Sequence, residues 1–495
     1  MIHSPARATT LAALVAALDD ARATGPLDIA VRALAHDSRA VGPGTLFVAL
    51  RGERVDGHTF VGAALAAGAA GVVVDGAFAA GATLPPERSV VVVSDTRRAL
   101  SRLAATLYGK PSSALRIAGV TGTNGKTTVT HLVAAILAEA GVPAGRIGTL
   151  GARFGGAMWS LDNTTPLALE LQTLLAEMRD RGALAVVMEA SSHALALDRV
   201  ADVDFAVAAL TNVTRDHLDF HGTFEAYAAA KRTLFERAPV VVLNAGDAYA
   251  RRWAHELAER GKTVVTYGLD CEASLAARDV AVRADGSAFV LDARRFTLRL
   301  PGRFNIANAL AALAIARTYG VTDEVAARAL AAFDRVPGRM EHLAGGGIDV
   351  LVDYAHTPDA LDVVLRAARE TARGQLAVVF GCGGDRDRGK RPQMGRIARK
   401  RADRVVVTSD NPRGEEPQAI LEEILAGIAD RRDVTALVDR RAAIRRAILE
   451  AEPGDVVVVA GKGHETYQVI GTFVNHFDDR DEVRAALAER AAVLG

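Results

Sequence analysis

A glycine-rich segment that runs into a lysine and two threonines has the composition of a triphosphate-binding loop. Backbone N–H groups of such a loop, and the positive end of the helix that follows, face the phosphates. Lys126 reaches them as a point charge, and Thr127 can ligate Mg²⁺. The common loop, G-x-x-x-x-G-K-[ST], requires glycine at position 120, where this chain has valine. This variant spacing still indicates ATP binding, and it limits the protein families to which the loop can belong. Its predicted contacts are Gly119, Gly122, Thr123, Asn124, Gly125, Lys126, Thr127 and Thr128.

Two polar residues lie where apolar, strand-like segments end. Glu189 ends one such segment, and His217 follows another, at 205–210. In a P-loop fold these strand ends lie near the phosphates, where a carboxylate and an imidazole can hold Mg²⁺ or orient its waters. The alternative is strand-end capping and turn chemistry, which is commoner for a lone histidine. With a P-loop upstream, the metal role is favoured.

Lys231 lies in an otherwise apolar helical stripe. Residues 223–237 predict a helix with Thr223 as its N-cap. Such a lysine usually packs its stem on the stripe and keeps its amine in water. The less common alternative is a desolvated amine with a lowered pKa, which can add CO₂ and become a carbamate ligand for a metal. The stripe consists of Phe224, Tyr227, Lys231 and Phe235.

Alternating strands and helices must position these residues. We predict an α/β protein of three domains, since 495 residues exceed one core. Residues 1–110 form a small N-terminal α/β domain that ends in a linker near 109–113. Residues 111–336 form a P-loop ATPase-like domain with a mostly parallel sheet, and residues 337–495 a Rossmann-like α/β domain. Polar loops follow the strands of this last domain, and open α/β sheets bind ligands at that end of their strands.

Composition excludes several classes of protein. The chain has 59 basic and 59 acidic residues, so no net field draws it to nucleic acid or an anionic membrane. No apolar run approaches the length of a membrane span, and the N-terminus lacks the features of a signal peptide. Two cysteines, Cys271 and Cys382, suit a reducing compartment. We expect a cytoplasmic monomer that acts on small molecules.

The joint order of several motifs resembles that of the Mur ligase family over essentially the whole chain. The resemblance implies ATP-dependent formation of an amide through an acyl phosphate, during synthesis of peptidoglycan precursors. It also favours carbamylation of Lys231. The motifs are the loop at 119–128, Glu189 before Ser191-Ser192-His193, Asn212 with Asp216-His217-Leu218-Asp219, Lys231, Gly302-Arg303-Phe304-Asn305 with Asn308, Arg339-Met340-Glu341, and Asp353-Tyr354-Ala355-His356-Thr357-Pro358.

The resemblance assigns roles to the ATP site. Lys126, Glu189, His217 and Lys231 would be catalytic. Thr127 and Glu189 would hold one Mg²⁺, and the carbamate of Lys231 would support a second metal, with His217 as a further metal ligand. Further nucleotide contacts would be Asn305, Asn308, Arg339 and Asp353. The last two belong to the C-terminal region, so ATP would be shared between domains and closure would assemble the site.

The C-terminal region resembles the family member that adds meso-diaminopimelate to UDP-N-acetylmuramoyl-L-alanyl-D-glutamate. Arg413 would hold the distal carboxylate of the amino acid bidentately, and Glu465 would accept from its ammonium. Without the family context, Asp410-Asn411-Pro412-Arg413 would be interpreted as a surface turn. The implied amino-acid site is Arg386, Asp410, Asn411, Pro412, Arg413, Gly461 and Glu465.

The UDP-muramoyl dipeptide side is also represented. The implied contacts are Ser38, Glu53, Arg54, Val55, Asn163, Thr164, Thr165, Ser191, Arg199 and Lys231. Relatives often carry glutamine where this chain has Leu197, which we leave out of the site. The alternatives are a lysine-adding or other Mur ligase, a folylpolyglutamate synthase-like ligase, and a non-catalytic nucleotide-dependent scaffold.

Overall fold

The computed structural model describes residues 9–52, 55–83 and 85–494. In this part of the chain no helix is long and apolar enough to cross a membrane. The structure is of the α/β class and contains three larger sheets, of five, eleven and six strands.

The five-stranded sheet lies at the N-terminus in the order β2-β7-β6-β5-β4, and β1 pairs with β3 in a small separate sheet. Its central strands are runs of valine and leucine that are buried on both faces, as expected for parallel strands covered by helices. The elements are β1 Thr9–Thr10, α1 Leu11–Val15, β2 Arg22–Thr24, β3 Ala30–Val31, β4 Ala33–Ala35, β5 Thr45–Val48, α2 Val61–Ala66, β6 Gly71–Asp75, α3 Gly76–Gly81, β7 Val90–Val93 and α4 Thr96–Leu107.

The predicted linker near 109–113 packs against the rest of the protein. Pro111–Ala114 is a 3₁₀ helix, and Pro111 and Ser112 are buried. Proline suits the first turn of such a helix because its missing N–H would be unsatisfied there. The segment therefore joins the first sheet to the second as a packed element. The domain boundaries stay a prediction.

The eleven-stranded sheet carries the P-loop. Its order is β11-β10-β9-β12-β8-β13-β14-β15-β16-β17-β18. The seven strands β9, β12, β8, β13, β14, β15 and β16 are parallel, as predicted. Antiparallel hairpins that the sequence did not indicate extend both edges. The elements are β8 Arg116–Thr121, α5 Lys126–Glu139, β9 Ala144–Gly148, β10 Gly151–Phe154, β11 Ala157–Trp159, α6 Ala168–Asp180, β12 Ala185–Glu189, α7 Ser192–Ala196, β13 Phe205–Leu210, α8 Leu218–His221, α9 Phe224–Glu236, β14 Val240–Asn244, α10 Ala248–Glu259, β15 Thr263–Leu269, β16 Leu275–Arg283, β17 Gly286–Leu291, β18 Arg294–Leu298, α11 Arg303–Thr318 and α12 Asp323–Ala332.

The six-stranded sheet has the order β19-β20-β24-β21-β22-β23, with β19 antiparallel to the rest. Loops at the carboxyl ends of β20, β21, β22 and β24 lie side by side, which is where the unusual residues of this region fall. The elements are β19 Glu341–Gly345, β20 Ile348–Asp353, α13 Pro358–Thr371, β21 Leu376–Phe380, α14 Lys390–Arg401, β22 Arg404–Thr408, α15 Pro417–Leu425, β23 Val434–Leu437, α16 Arg440–Leu449, β24 Val456–Ala460, β25 Tyr467–Ile470, β26 Phe473–His476 and α17 Asp479–Leu494.

A fully buried ion pair ties α17 to these strand ends. Arg440 Nε and Nη2 each donate to the Asp479 carboxylate at 2.7 Å, and both side chains are 0% exposed. The same guanidinium donates to Ser409 O at 3.1 Å and to Ala460 O at 3.0 Å. Four hydrogen bonds thus satisfy the pair and fix the backbone just before Asp410 and Gly461.

We predict that Arg440→Ala lowers the free energy of unfolding by about 3–5 kcal/mol, because it leaves the Asp479 carboxylate buried and unpaired. The matched control is Arg441→Ala, one residue along the same helix. Its partner Glu482 is 2.9 Å away, but the Arg441 side chain is 65% exposed, so the loss should be about 0–1 kcal/mol. Urea unfolding followed by circular dichroism measures both. Equal unfolding midpoints for the two variants would contradict the prediction.

Candidate active site at the P-loop and the C-terminal strand ends

The P-loop is a tight connection between β8 and α5. Gly122 has φ +145° and Gly125 has φ +90°, conformations that side chains disfavour. A Cβ on Gly122 would lie 1.8 Å from Thr211 Oγ1, and one on Gly125 would lie 2.4 Å from Asn308 Oδ1. Glycine is therefore required at both positions, because the loop backbone lies directly against these side chains.

Two lysines donate to the same loop carbonyl. Lys126 Nζ lies 2.9 Å from Gly122 O, and Lys231 Nζ lies 2.8 Å from it. Lys126 also donates to Thr123 O at 2.9 Å. Burial lowers the pKa of Lys126, and the carboxylates of Glu189 and Asp216 oppose that shift. The structure thus brings together both lysines predicted to be catalytic.

Lys231 is 1% exposed, so its amine does not reach water. The commoner sequence interpretation, a packed stem with a solvated amine, is therefore wrong for this lysine. Its helix spans Phe224–Glu236 with Thr223 as N-cap, as predicted. Besides Gly122 O, the amine contacts the ring of Tyr227, 4.3 Å from its centroid. Burial, then the nearby ammonium of Lys126, lowers the Lys231 pKa well below its usual value. A lowered pKa favours the neutral amine, which is the form that adds CO₂.

Glu189 ends β12 as predicted and is fully buried. Its Oε2 accepts from Thr127 Oγ1 at 3.2 Å and from Thr149 Oγ1 at 3.1 Å, and its Oε1 accepts from Thr149 N at 2.9 Å. Gly148 leaves the space that this carboxylate fills. The cluster presents carboxylate and hydroxyl oxygens, which are the hard donors that Mg²⁺ prefers, so the residues present fit the predicted metal.

His217 lies on the cavity side of the loop rather than in the Glu189 cluster. It is a half-exposed residue with φ +52°, and its ring lies 4.7 Å from that of His193. Burial lowers the His217 pKa, which the neighbouring Asp216 carboxylate opposes. Among the described residues, no group of three or more His, Cys, Asp or Glu side chains is placed to hold a metal. Of the predicted metal ligands, only Glu189 and His217 belong to these four residue types.

Asparagine side chains hold the nucleotide-binding loop from the remaining sides. Asn212 Oδ1 accepts from Asn124 N at 3.0 Å, and its Nδ2 donates to Asn124 O at 3.1 Å. Asn308 Nδ2 donates to Asn305 Oδ1 at 3.1 Å, and both side chains are buried. Of the two predicted residues of α11, Asn308 packs against the loop at Gly125, and Asn305 holds Asn308 from behind.

Arg339 reaches from the C-terminal region to the P-loop helix. Its Nη2 lies 3.5 Å from Thr127 Oγ1, and its guanidinium lies 4.6 Å from the centroid of the Tyr354 ring. Asp353 ends β20 and accepts from Met340 N and Ala355 N at 2.7 and 2.8 Å. Burial raises the Asp353 pKa, which the Arg339 guanidinium opposes. Both predicted C-terminal ATP residues thus lie at the junction of the two large sheets.

A cavity of about 1130 Å³ lies between these sheets. The central region contributes Asp216 and His217. The C-terminal region contributes six of the seven predicted amino-acid contacts, since Pro412 is not part of the lining. They are Arg386, Asp410, Asn411, Arg413, Gly461 and Glu465.

Hydrogen bonds organise the acidic end of this cavity. Glu465 Oε2 accepts from Asn411 Nδ2 at 2.8 Å and from Lys462 Nζ at 3.2 Å. Lys462 is fully buried and was not predicted. Glu465 therefore already has a cationic partner, whereas Asp410, which is 7% exposed, forms no ion pair within the described residues. Of these two carboxylates, Asp410 is therefore the one more available to a ligand ammonium.

The predicted dipeptide residues of the central region form one hydrogen-bonded group beside Glu189. Thr165 Oγ1 donates to Glu189 O at 2.7 Å and accepts from Ser191 N at 3.0 Å, while Arg199 donates to Thr165 O at 3.0 Å. Thr164 Oγ1 lies 3.1 Å from Thr149 Oγ1, and Asn163 is half-buried in the same loop.

The predicted N-terminal contacts belong to a different sheet. Ser38 begins a 3₁₀ helix capped by Asp37, and Val55 is 57% exposed. Within the described ranges, neither forms a hydrogen bond to the dipeptide group on the central sheet. Glu53 and Arg54 lie outside the described residues.

Sequence reasoning missed several residues near Glu189. Thr149 follows the short strand β9, and its position after a strand end was the signal that could have found it. Arg146 on the same strand is buried, and its Nη1 has no partner among the described residues. Burial lowers the Arg146 pKa, which the Glu189 carboxylate opposes. Burial and the Arg146 cation lower the pKa of His131 to about 3. Arg146 is thus a cationic side chain near Glu189 and the P-loop helix that the motif did not indicate.

Three profiles of one protein family match this chain. "Mur ligase family, catalytic domain" matches residues 30–108, "Mur ligase middle domain" residues 120–316, and "Mur ligase, glutamate ligase domain" residues 338–463. A protein of Gloeobacter violaceus named UDP-N-acetylmuramoyl-L-alanyl-D-glutamate–2,6-diaminopimelate ligase is 49% identical over 473 residues, which are 94% of this chain and 95% of that one. A protein of Thermosynechococcus vestitus with the same name is 48% identical over 93% of this chain and 94% of that one.

Solved structures resemble the whole fold. A structure titled UDP-N-acetylmuramoyl-L-alanyl-D-glutamate–2,6-diaminopimelate ligase is 34% identical, with a TM-score of 0.70 over 98% of this chain and 99% of that one. MurF from Acinetobacter baumannii has a TM-score of 0.66 at 20% identity over 99% and 100% of the two chains. Folylpolyglutamate synthase from Mycobacterium tuberculosis, solved with ADP and AMPPCP, has a TM-score of 0.60 at 20% identity over 74% and 92%. The last two share the fold.

We predict that Gly148→Ala lowers ATP turnover about 100-fold, the scale expected when a catalytic group is displaced by about 1 Å. The added Cβ would lie 2.2 Å from Glu189 Oε1, so the carboxylate must move. Gly62→Ala on helix α2 is the control, because its Cβ would meet nothing within 4 Å. ADP release measures both variants. Wild-type turnover by Gly148→Ala would show that Glu189 need not occupy its present position.

Proposed function

The chain belongs to the Mur ligase family, and from that membership we propose that it is an ATP-dependent ligase that adds meso-2,6-diaminopimelate to UDP-N-acetylmuramoyl-L-alanyl-D-glutamate. Two relatives at 48–49% identity and a solved structure at 34% carry this activity in their names. The observation that carries the choice of amino acid is the cavity in which Arg413, Arg386 and Asp410 face the central region.

The residues of this chain support phosphoryl transfer at the P-loop end of the site and amino-acid binding at the opposite end of the cavity. Lys126 and the loop amides would stabilise the phosphoryl group as it moves from ATP to the substrate carboxylate, which gives an acyl phosphate and ADP. The incoming amine would then attack the acyl carbon, and the tetrahedral intermediate would collapse with loss of phosphate. Arg339 next to Thr127 would add positive charge at the same end.

The amino-acid end would be recognised by charge. Arg413 and Arg386 would bind the distal carboxylate, and Asp410 and Glu465 would receive the distal ammonium. Lysine lacks the distal carboxylate, so the two guanidinium groups would stay unpaired with it. Thr164, Thr165, Ser191 and Arg199 would hold the muramoyl dipeptide next to the ATP site.

Thr127 and Glu189 would hold one Mg²⁺, and the carbamate of Lys231 would support a second metal, with His217 as a further metal ligand. When bound, Mg²⁺ would neutralise charge on the phosphate oxygens. The buried position and lowered pKa of Lys231 support the carbamate. A cytoplasmic location and a monomeric state remain predictions of the sequence.

A substrate comparison tests the proposal. With ATP and the UDP-muramoyl dipeptide, ADP release should be fastest with diaminopimelate. The kcat/KM for lysine should be lower by a factor of about 30 or more, since an unpaired desolvated guanidinium costs about 2–5 kcal/mol. Glutamate should not be used. Equal or better turnover with lysine would contradict the choice of amino acid, and ATP binding without ADP release would indicate a scaffold protein.

We predict that Lys231→Ala lowers turnover about 100-fold or more, because it removes the carbamate oxygens from the metal site. Short-chain carboxylates such as acetate should restore part of the activity by occupying the space of the carbamate. Lys262→Ala is the matched control, since this half-buried lysine donates only to Glu236 O and Ala238 O within the described residues. High residual activity of Lys231→Ala would remove the carbamate from the proposal.

A further inference from the structure

The hairpin formed by β25 and β26 is attached to the fold without a hydrophobic core. Each of its residues from Tyr467 to His476 is half-buried or exposed. Its largest apolar side chains face solvent, since Phe473 is 74% and Val474 is 68% exposed. Apolar burial therefore contributes little to its position, and polar contacts must hold it.

Among the described residues, the hydrogen bonds that join this hairpin to the rest of the fold go to the loop Asp410–Arg413, and Lys462 Nζ lies 5.5 Å from the centroid of the Tyr467 ring. Arg413 N donates to Val469 O at 3.0 Å, and Gly471 N donates to Arg413 O at 2.7 Å. Val469 N donates to Asn411 Oδ1 at 2.9 Å, and Gln468 Nε2 donates to Asp410 O at 2.8 Å. The hairpin thus pairs with the backbone of the loop over a short stretch, and it also holds the side chain of Asn411.

The pairing holds Arg413 in a conformation that it would not favour alone. Its φ is +53°, in the left-handed region that residues with a Cβ rarely adopt. Such a conformation persists where surrounding contacts over-determine it. Here the hairpin satisfies both the N–H and the C=O of Arg413, and Nη1 donates to Gly384 O at 2.9 Å. The backbone is fixed from one side and the guanidinium from the other.

We propose that the hairpin 467–476 is the positioning element for recognition of the distal amino-acid head, with Gln468 as a positioning residue. This inference rests on the proposed function. The hairpin sets the orientation of Asp410 and Arg413, which contact the ligand, and Gln468 acts through the backbone of Asp410. Its effect is confined to the amino acid, because the ATP residues lie on other loops.

Gln468→Ala tests the inference. Loss of one hydrogen bond should raise the KM for diaminopimelate about 3- to 10-fold. The KM values for ATP and for the UDP-muramoyl dipeptide should change less than twofold, and the preference for diaminopimelate over lysine should fall. Gln468→Met, which keeps the length but removes the donor, should behave like the alanine variant. Recovery of the wild-type KM by Gln468→Met would show that packing alone matters and would overturn the inference.

Asn475→Ala is the matched control. Asn475 pairs with Gln468 across the hairpin, and within the described residues it forms no hydrogen bond to 410–413. Its KM for diaminopimelate should equal that of the wild type, whereas Arg413→Ala should show the largest increase. If wild-type protein releases no ADP with diaminopimelate, the proposed function fails and this inference with it. If the wild type is active and Gln468→Ala has an unchanged KM, or an equal increase for ATP, the inference alone is overturned.

Discussion

The carbonyl oxygen of Gly122 is the acceptor on which the phosphate end of the site depends. Lys126 on α5 and Lys231 on α9 both donate to it, at 2.9 and 2.8 Å. Two helices thereby contact one peptide group, and the ammonium of Lys126 disfavours a charge on Lys231. Gly122 can carry no side chain, because Thr211 fills the space where a Cβ would lie.

The second half of the site comes from a different sheet. Arg339 reaches Thr127 on the P-loop helix, while Arg413 and Asp410 face the central region across the cavity. Asp353 ends β20 and Asp410 follows β22, and the interiors of both strands are packed with valine and leucine, so the backbone there has little freedom. Rigid strands and short polar loops allow two sheets with separate cores to hold reacting groups in one aqueous space.

The sequence predicted the buried elements better than the exposed ones. Phe205–Leu210, Leu376–Phe380 and Val456–Ala460 are apolar runs, and the structure has strands with these bounds. The edge hairpins were missed because short, half-exposed strands have no distinctive period. The spacing of glycine, lysine and threonine predicted the P-loop, and an apolar run predicted the strand that ends at Glu189. The helical pattern around Lys231 was also predicted. It could not decide the burial of Lys231, because the same stripe serves a solvated or a buried amine, and the difference lies in an acceptor more than a hundred residues away along the chain. Lys462 and Glu465 are close in sequence, but Asn411, which contacts both side chains, lies 51 and 54 residues before them, so this cluster was not predicted.

The hairpin 467–476 has one further consequence, for how substrate choice can change during evolution. Hydrogen bonds join the hairpin to the loop 410–413, and the hairpin contributes no buried apolar side chain to the core. Substitutions in the hairpin leave the packing of the six-stranded sheet intact, so they carry a small penalty in stability. A lineage can therefore exchange this corner of the protein for another and acquire a new amino-acid preference while inheriting the ATP site unchanged.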